Sequence, residues 1–430
     1  MHDLLKACLR PSMLAVVLAM LALMGVSLMA VQTAELADPL QKGYTMRQAV
    51  FAGVGLGGFL LAAVVPYHRV GRWAYVLYGL TIVLLIVVFL LPAIRYSRRW
   101  IRLGSGPSAI QFQPSELAKL TYIVAMAWYL RYRENFRRLP WLIPPFLLTL
   151  TPAVLVLLEP DLGTSLLFFP TLFFMLLMAG ARLRHMLGVL ALALIIIFLP
   201  VPVDLAGRGE REAKDRRALA YWNAADGRRA LLPAPLAVMQ HHQLIRIEGW
   251  LRQSDPDIKR GKGYQLDKSM TILGSGGLSG AAGPSDNGYF RMLPDDHTDF
   301  IFAVIGGRWG FVGCMGVLLL YVAILIAGAE IAARSPDPFG RLLAVGVIAL
   351  LFTQVFINVG MTLGMAPITG MTLPFVSYGG SSMLINSAAL GLLVNVSRRK
   401  PILLGRRPFE HGQAAPEAQA AVAHPLPTWR

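Results

Sequence analysis

Ten predominantly apolar stretches recur along the chain, at residues 12–31, 50–67, 74–94, 117–130, 141–158, 163–180, 186–203, 300–327, 342–364 and 382–396. A helix needs about 20 mostly apolar residues to cross a bilayer. The pattern therefore predicts an all-α polytopic membrane protein with about ten transmembrane helices. The fourth stretch is short and borrows 114–116 as its first turn. Pro152 and Pro170 fall inside stretches and predict kinks, which a bundle tolerates because neighbouring helices satisfy the freed backbone groups. The first stretch, from Met13 to Val31, is too long for the apolar part of a signal peptide and lacks a small-x-small cleavage site, so it reads as a retained span.

The polar intervals set orientation. Lys6 and Arg10 precede the first stretch, and Arg69 and Arg72 lie between the second and third. Arg131, Arg133, Arg137 and Arg138 follow the fourth, Arg182 and Arg184 the sixth, Arg334 and Arg341 the eighth, and Arg398, Arg399 and Lys400 the tenth. If every stretch crosses, these basic clusters share one side, which predicts cytoplasmic termini. Two intervals depart from this. The interval 95–115 carries Arg95, Arg98, Arg99 and Arg102 on the outer side. The interval 204–298, between the seventh and eighth helices, is a large extracytoplasmic loop, and connections of that length are usually functional or disordered. Its first part, 207–229, is dense in both charge signs and reads as solvated, whereas 261–298 is rich in glycine and reads as ordered. Residues 1–400 form one membrane domain on this reading, and 401–430, rich in Ala, Pro and His, read as a disordered cytoplasmic tail.

Composition agrees. Hydrophobic residues make up 55% of the chain and charged residues only 15%, against roughly 25% charged in a soluble domain. The formal charge of +16 would suggest nucleic acid in a soluble protein. Here the basic residues flank apolar runs, and no nucleic-acid-binding motif is present, so no nucleic-acid partner is expected. Cys8 and Cys314 give no disulfide framework.

Several loop residues could support chemistry. Arg98, Arg99 and Arg102, with Trp100 among them, either anchor the interface by snorkelling or cradle an anionic headgroup. Glu116 and Lys119 are three apart and share a helix face, either as an internal ion pair or as part of a site. Ser115 is placed to cap that helix. Asp161, in Glu159-Pro160-Asp161-Leu162-Gly163-Thr164, is placed to cap the sixth span and, with Glu159, could hold a cation, Arg98 or Lys119. Ser254 to Gln265 combines Asp255, Asp257, Lys262 and an irregular Pro/Gly backbone. The glycines from Gly274 to Gly280 are not followed by Lys-Ser/Thr and so form no phosphate-binding loop of that type. They suit close approach to a ligand or another backbone. Asp299 is placed to cap the eighth span. His297 stands alone, and His241 and His242 lack a partner at metal-ligand spacing.

Taken in order, these motifs resemble the RodA/FtsW family, also called SEDS (shape, elongation, division, sporulation). The matching pieces are Arg99-Trp100-Ile101 with Gly104, Phe112-Gln113-Pro114-Ser115-Glu116-Leu117-Ala118-Lys119, and Glu159-Pro160-Asp161-Leu162-Gly163-Thr164. They continue with Gly261-Lys262-Gly263-Tyr264-Gln265, Gly274-Ser275-Gly276-Gly277-Leu278, His297-Thr298-Asp299-Phe300-Ile301-Phe302 and Pro374-Phe375-Val376-Ser377-Tyr378-Gly379-Gly380-Ser381-Ser382. They cover residues 98–396.

The resemblance implies a peptidoglycan glycosyltransferase of the bacterial inner membrane, with both termini cytoplasmic and its active site on the periplasmic face. Its substrate would be lipid II and its partner a class B penicillin-binding protein (a transpeptidase). The 4-hydroxyl of one lipid-linked sugar would displace undecaprenyl diphosphate from the anomeric carbon of another with inversion, which needs a base and a cationic site for the diphosphate. The family's catalytic Asp precedes the Gly-x-Gly-Tyr element. Asp257 is the nearest match here and Asp255 the reserve, with the spacing shifted by one and the Pro after the Asp missing. Substrate-binding residues on this resemblance are Arg98, Arg99, Arg102, Glu116, Lys119 and Asp161, with Lys262, His297, Asp299, Ser377 and Ser381 joining them from later motifs. The chain also departs from the family at Gly306-Gly307-Arg308-Trp309, where Gly-Glu-Glu-Leu is common, and in the charged insertion at 207–243. No dedicated metal-ligand set is visible, which leaves assistance from Mg²⁺ or Mn²⁺ open. A lipid II flippase or transporter, and a non-catalytic scaffold of the cell-wall machinery, are the alternatives; the outer-face clustering of candidates favours chemistry there.

Overall fold

A computed structural model of the chain describes residues 11–37, 43–91, 99–104, 110–133, 139–205, 208–224, 229–239, 241–261, 263–280 and 298–398. Arg98, Lys262, His297 and the tail lie outside the described residues.

The architecture is an all-α membrane bundle. Among the described residues, six helices are long and apolar enough to cross a membrane: α1 (Pro11–Ala37), α2 (Tyr44–Val64), the segment Leu139–Leu158, and three C-terminal helices. After α2 come the short α3 (Tyr67–Arg72), α4 (Ala74–Leu90) and the hairpin β1 (Ile101–Leu103) and β2 (Ile110–Phe112), then α5 (Pro114–Leu130). Next are α6 (Ile143–Leu158), α7 (Leu162–Met178) and α8 (Leu183–Phe198). The apolar α4, α7 and α8 are shorter than a full span. The C-terminal three are α14 (Ile301–Arg334), α15 (Pro338–Thr362) and α16 (Gly380–Arg398). Pro152 and Pro170 lie inside α6 and α7, as expected.

Helix α5 is buried along nearly its whole length and packs against α4, α6, α7, α15 and α16. Helices α2 and α16 approach most closely. A β-carbon on Gly391 would stand 2.4 Å from the Phe59 carbonyl oxygen. Small residues permit such contacts between membrane helices, where dispersion rather than water exclusion drives association.

The loop between α8 and α14 is folded. Strand β3 (Pro200–Asp204) pairs antiparallel with β5 (Arg229–Pro233), and β4 (Trp222–Asn223) pairs with the other edge of β5. Helices α9 (Glu210–Ala218), α10 (Ala234–Val238) and α11 (His241–Leu251) complete the unit, followed by the short α12 (Pro256–Arg260) and α13 (Tyr264–Ser275). Val203, Leu205, Ala213, Ala230, Leu232, Leu236 and Leu244 form its own small core. Most described residues of the 207–229 segment are exposed, as expected, but the segment is folded around a buried charge. Arg216 on α9 is 2% exposed. It donates to the carbonyls of Leu236, Ala237 and Met239 and, through Nε, to the Glu212 carboxylate. A buried guanidinium needs acceptors for its donors, and α9 and the C-terminal end of α10 supply them.

The turn after α13 docks on α14 through backbone, and Leu273 of α13 packs its side chain against Gly306. A β-carbon at Gly276 would fall 1.9 Å from the Gly306 carbonyl oxygen, and one at Gly280 would fall 2.1 Å from the Arg308 carbonyl oxygen. Phe311 N donates to Gly277 O at 2.9 Å and Val312 N to Leu278 O at 3.1 Å. The helix breaks at Gly310, whose φ of 63° and ψ of −160° are not helical. The glycine run thus serves close approach to another backbone, and Gly306-Gly307 is the surface that receives it.

Candidate functional site

A cavity of about 310 Å³ opens at the end of the bundle where the β1–β2 hairpin, the N-termini of α5, α7 and α16, the residues before α14 and the loop 365–379 meet. Its floor comes from α5. Pro114 occupies the first turn of that helix, where no N–H is needed, and Gln113 is the N-cap. Ser115 is therefore not the cap. It lies inside the helix and accepts from Gln113 Nε2 at 2.9 Å. One turn further, Lys119 Nζ lies 2.8 Å from Glu116 Oε2, with side chains 1% and 7% exposed.

Asp161 forms the wall at the start of α7 and is the cap the sequence suggests. Oδ1 accepts from Thr164 N at 3.0 Å, while Oδ2 accepts from Thr164 Oγ1 at 2.9 Å and Gln113 Nε2 at 3.0 Å. Those three bonds tie α7 to α5. Among the described residues neither Lys119, which pairs with Glu116, nor any other cation forms an ion pair with it. Glu159, two residues earlier and outside the helices, is fully buried, and neither carboxyl oxygen has a hydrogen-bond partner. Burial pushes its carboxyl up to about 8, the Asp161 charge adds to that, and Arg99 opposes it.

The hairpin is clamped to α16. Ser381 Oγ accepts from Gln113 N at 3.1 Å and donates to Gln111 O at 3.2 Å. This fixes Arg99, which is partly buried and lines the cavity beside Trp100. Its Nε is buried without a hydrogen-bond partner. Arg102 is exposed and does not line the cavity.

Asp299 enters from the residues before α14. That helix begins at Ile301 with Phe300 as its N-cap, so Asp299 is not the cap. Its backbone is fixed instead. Asn358 Nδ2 donates to the Asp299 carbonyl at 3.0 Å, and Ser377 Oγ donates to the neighbouring Thr298 carbonyl at 2.5 Å. Ser377 also accepts from Leu373 N at 2.8 Å, which makes it a strut of the loop rather than part of the cavity lining.

The folded loop also reaches the cavity, through α11. Leu244 faces the small core, whereas Gln243, Arg246 and Trp250 recur at helical spacing on another face. Gln243 is buried, Trp250 Nε1 donates to Gly364 O at 2.9 Å, and Arg246 lines the cavity. Sequence reasoning missed Arg246 and Gln354, whose buried Oε1 lacks a hydrogen-bond partner and which also lines the cavity. The helical recurrence of Gln243, Arg246 and Trp250 was the available signal.

Asp255 and Asp257 lie elsewhere. Asp255 is the N-cap of α12, accepting from Asp257 N at 3.0 Å and from Arg252 Nη2 at 2.7 Å. Asp257 is exposed, and neither lines the cavity. The structure thus gathers Arg99, Glu116, Lys119, Asp161, Asp299 and Ser381 of the sequence candidates, adds Arg246, and leaves Asp255, Asp257, Arg102 and Ser377 outside the lining. Among the described residues, no group of three or more His, Cys, Asp or Glu side chains could hold a metal ion. Chemically, the site offers guanidinium groups for an anion, a fixed carboxylate for a proton, and hydroxyl and amide groups for a polyol.

The FtsW/RodA/SpoVE pattern, described as a cell cycle protein, matches residues 8–401. The chain is 32% identical to stage V sporulation protein E of Bacillus subtilis over 359 residues, 83% of this chain and 87% of the relative. It is 31% identical to the peptidoglycan glycosyltransferase MrdB of Escherichia coli K12 over 401 residues, 93% of this chain and 96% of the relative. Among solved structures it resembles a chain of a peptidoglycan synthase complex that coordinates polymerization and crosslinking. The TM-score there is 0.68 at 29% identity, covering 89% of this chain and 96% of that one. It also resembles the Rod shape determining protein RodA of Thermus thermophilus, with a TM-score of 0.59 at 28% identity, covering 89% and 95%.

Proposed function

The chain belongs to the FtsW/RodA/SpoVE family of cell cycle proteins, and from that premise we propose that its cavity joins lipid-linked sugars into glycan. It is a membrane-embedded peptidoglycan glycosyltransferase that transfers lipid II disaccharide units and releases undecaprenyl diphosphate. It works in cell elongation or division with a partner synthase, which we take to be a class B penicillin-binding protein. Ten spans, cytoplasmic termini in the inner membrane and a periplasmic cavity complete the reading. They are supported by the ten apolar stretches and by the basic residues that flank them.

The observation that carries the reading is the convergence of Arg99, Arg246, Asp161, Asp299 and the Glu116–Lys119 pair on one polar cavity at the end of an apolar bundle. Ionisable groups are costly near hydrocarbon and persist where they do work. Arg99 suits the departing diphosphate, because a guanidinium with a free donor can bind phosphate oxygens. Trp100 at the rim gives a polyprenyl chain an amphipathic surface to pass. A Mg²⁺ or Mn²⁺ ion would enter with the diphosphate it neutralises.

The test is glycan formation from lipid II by the purified chain, alone and with its synthase partner. Polymer that is lost in Arg99→Ala supports the reading. Movement of lipid II across a vesicle bilayer with no polymer would establish a flippase instead, and partner binding with neither activity would establish a scaffold.

A further inference from the structure

The folded unit between α8 and α14 touches the cavity through α11, and the rest of its surface has a chemistry of its own. Its level relative to the bilayer follows from α8. Leu194 to Leu199 are consecutive, apolar and all exposed. A run longer than one turn passes right round a helix, so the end of α8 is apolar on every side, which suits hydrocarbon and not water. Strand β3 starts at Pro200, directly after that run, so the unit begins where the hydrocarbon ends.

Topology then sets which parts of the unit face the bilayer. Strands β3 and β4 both pair antiparallel with β5 and therefore run in the same direction, away from α8. Helix α9 joins the far end of β3 to the near end of β4, so its C-terminal turn comes back toward the membrane. Two hydrogen bonds fix the return. Tyr221 Oη donates to the Phe198 carbonyl at 3.3 Å, at the end of α8, and Asn223 Nδ2 donates to the Arg217 carbonyl at 3.2 Å.

Two kinds of side chain gather at that level. Tyr221 and Trp222 are 54% and 56% exposed, amphipathic rings of the type that settle at headgroup depth. Arg211, Lys214 and Arg217 recur every three residues along the exposed side of α9, and among the described residues none of them pairs with an acid. The acids of α9 are engaged or distant. Glu212 holds Arg208 and Arg216, Asp215 is buried beside His241, and Glu210 lies in the first turn, at the end farthest from α8. A stripe of cations that descends onto aromatic rings at a hydrocarbon border is complementary to phosphate headgroups.

We propose that the folded unit is a bilayer-binding module: Tyr221 and Trp222 seat in the headgroup layer, and Lys214 and Arg217 bind the phosphates of anionic phospholipid there. A protein partner would need an apolar centre to exclude water around the cations, whereas this patch continues directly into the lipid-facing surface of α8. The binding is independent of what the cavity catalyses. It does bear on the cavity's shape. Arg216 clamps α9 to the Leu236, Ala237 and Met239 carbonyls just before α11, and α11 carries Arg246 to the cavity lining.

The test uses the purified full chain in bilayer nanodiscs of fixed phosphatidylglycerol and phosphatidylcholine content, with bromine as quencher on the acyl chains of one lipid or the other. The Trp222 signal is the difference between wild type and Trp222→Phe. It should be quenched, and more strongly when phosphatidylglycerol carries the bromine. One cation at an anionic surface changes headgroup affinity by roughly fivefold. The preference should fall by about that factor in Lys214→Gln or Arg217→Gln, and it should disappear in the double variant or at high salt. No quenching of Trp222 by either lipid, or equal quenching by both, would overturn the proposal. So would a Trp222 that becomes shielded only when the synthase partner is added, which would make the patch a protein interface. High salt is applied to the wild-type chain, so a variant that does not fold leaves the test standing.

Discussion

Lys119 and Glu116 stand one turn apart on α5, 2.8 Å from each other, both almost sealed from solvent at the floor of the cavity. Removing one partner from a buried pair strands a charge, which costs about 3–5 kcal/mol, whereas replacing both can be nearly neutral. Lys119→Met and Glu116→Gln should therefore each lower the thermal midpoint of the detergent-solubilised protein markedly. The double variant should be more stable than the sum of the two losses implies. Additive losses in a double-mutant cycle would show that the pair is not coupled.

Glu159 gives the protein a pH dependence of definite sign. Its carboxyl ionises near 4.5 in the unfolded chain and near 8 when folded, because burial disfavours its charge and Asp161 is close. Between those values the folded chain binds the extra proton, so this group makes stability fall as pH rises from about 4.5 to about 8, with no change beyond either limit. Glu159→Gln should remove that slope and raise the thermal midpoint at pH 8 relative to wild type. Melting curves from pH 5 to 9 that run parallel for the two proteins would contradict this.

Gly370→Ala probes the cavity wall beside Arg246 and Asp299. The substitution introduces a side chain at φ +71°, which costs roughly 1–2 kcal/mol in backbone strain. The new methyl also meets both functional groups at 3.1 and 3.3 Å. Polymer formation should fall by far more than the modest loss of stability explains. An active Gly370→Ala enzyme with a lowered melting point would assign Gly370 to folding alone.

Gly276→Ala tests how the outer loop is attached. A methyl there would collide with the Gly306 carbonyl at 1.9 Å, and backbone cannot yield as a flexible side chain can. The variant should free α13 from α14, which hydrogen exchange would report as lost protection of Phe311 and Val312, whose N–H groups bond Gly277 and Leu278. Unchanged protection would mean that the contact bends without breaking.

The membrane helices and half of the cavity were legible because hydropathy and helical spacing are local properties. The Glu116–Lys119 pair follows from a spacing of three, and the Asp161 cap from its place before α7. The folded loop was hidden by composition. Arg216 looks like a solvated residue until the Leu236, Ala237 and Met239 carbonyls, 20 to 23 residues away, are brought around it. Arg246 was missed for a related reason. The helical recurrence of Gln243, Arg246 and Trp250 marks only a packed face, and Arg246 reaches the cavity only because α11 lies across Gly364 and Gly370. Asp257 drew notice through the Gly-x-Gly-Tyr element after it, and it stands exposed on α12, outside the cavity lining that Asp299 joins from a different part of the chain.

The most direct measurement is a structure of the chain bound to a non-reactive lipid II analogue. The diphosphate should lie against Arg99 inside the cavity, with the sugar among the cavity's polar side chains and the polyprenyl chain leaving past Trp100. An analogue seated on the outer surface at Asp257, with the cavity between Arg99 and Asp299 holding neither sugar nor diphosphate, would contradict the account.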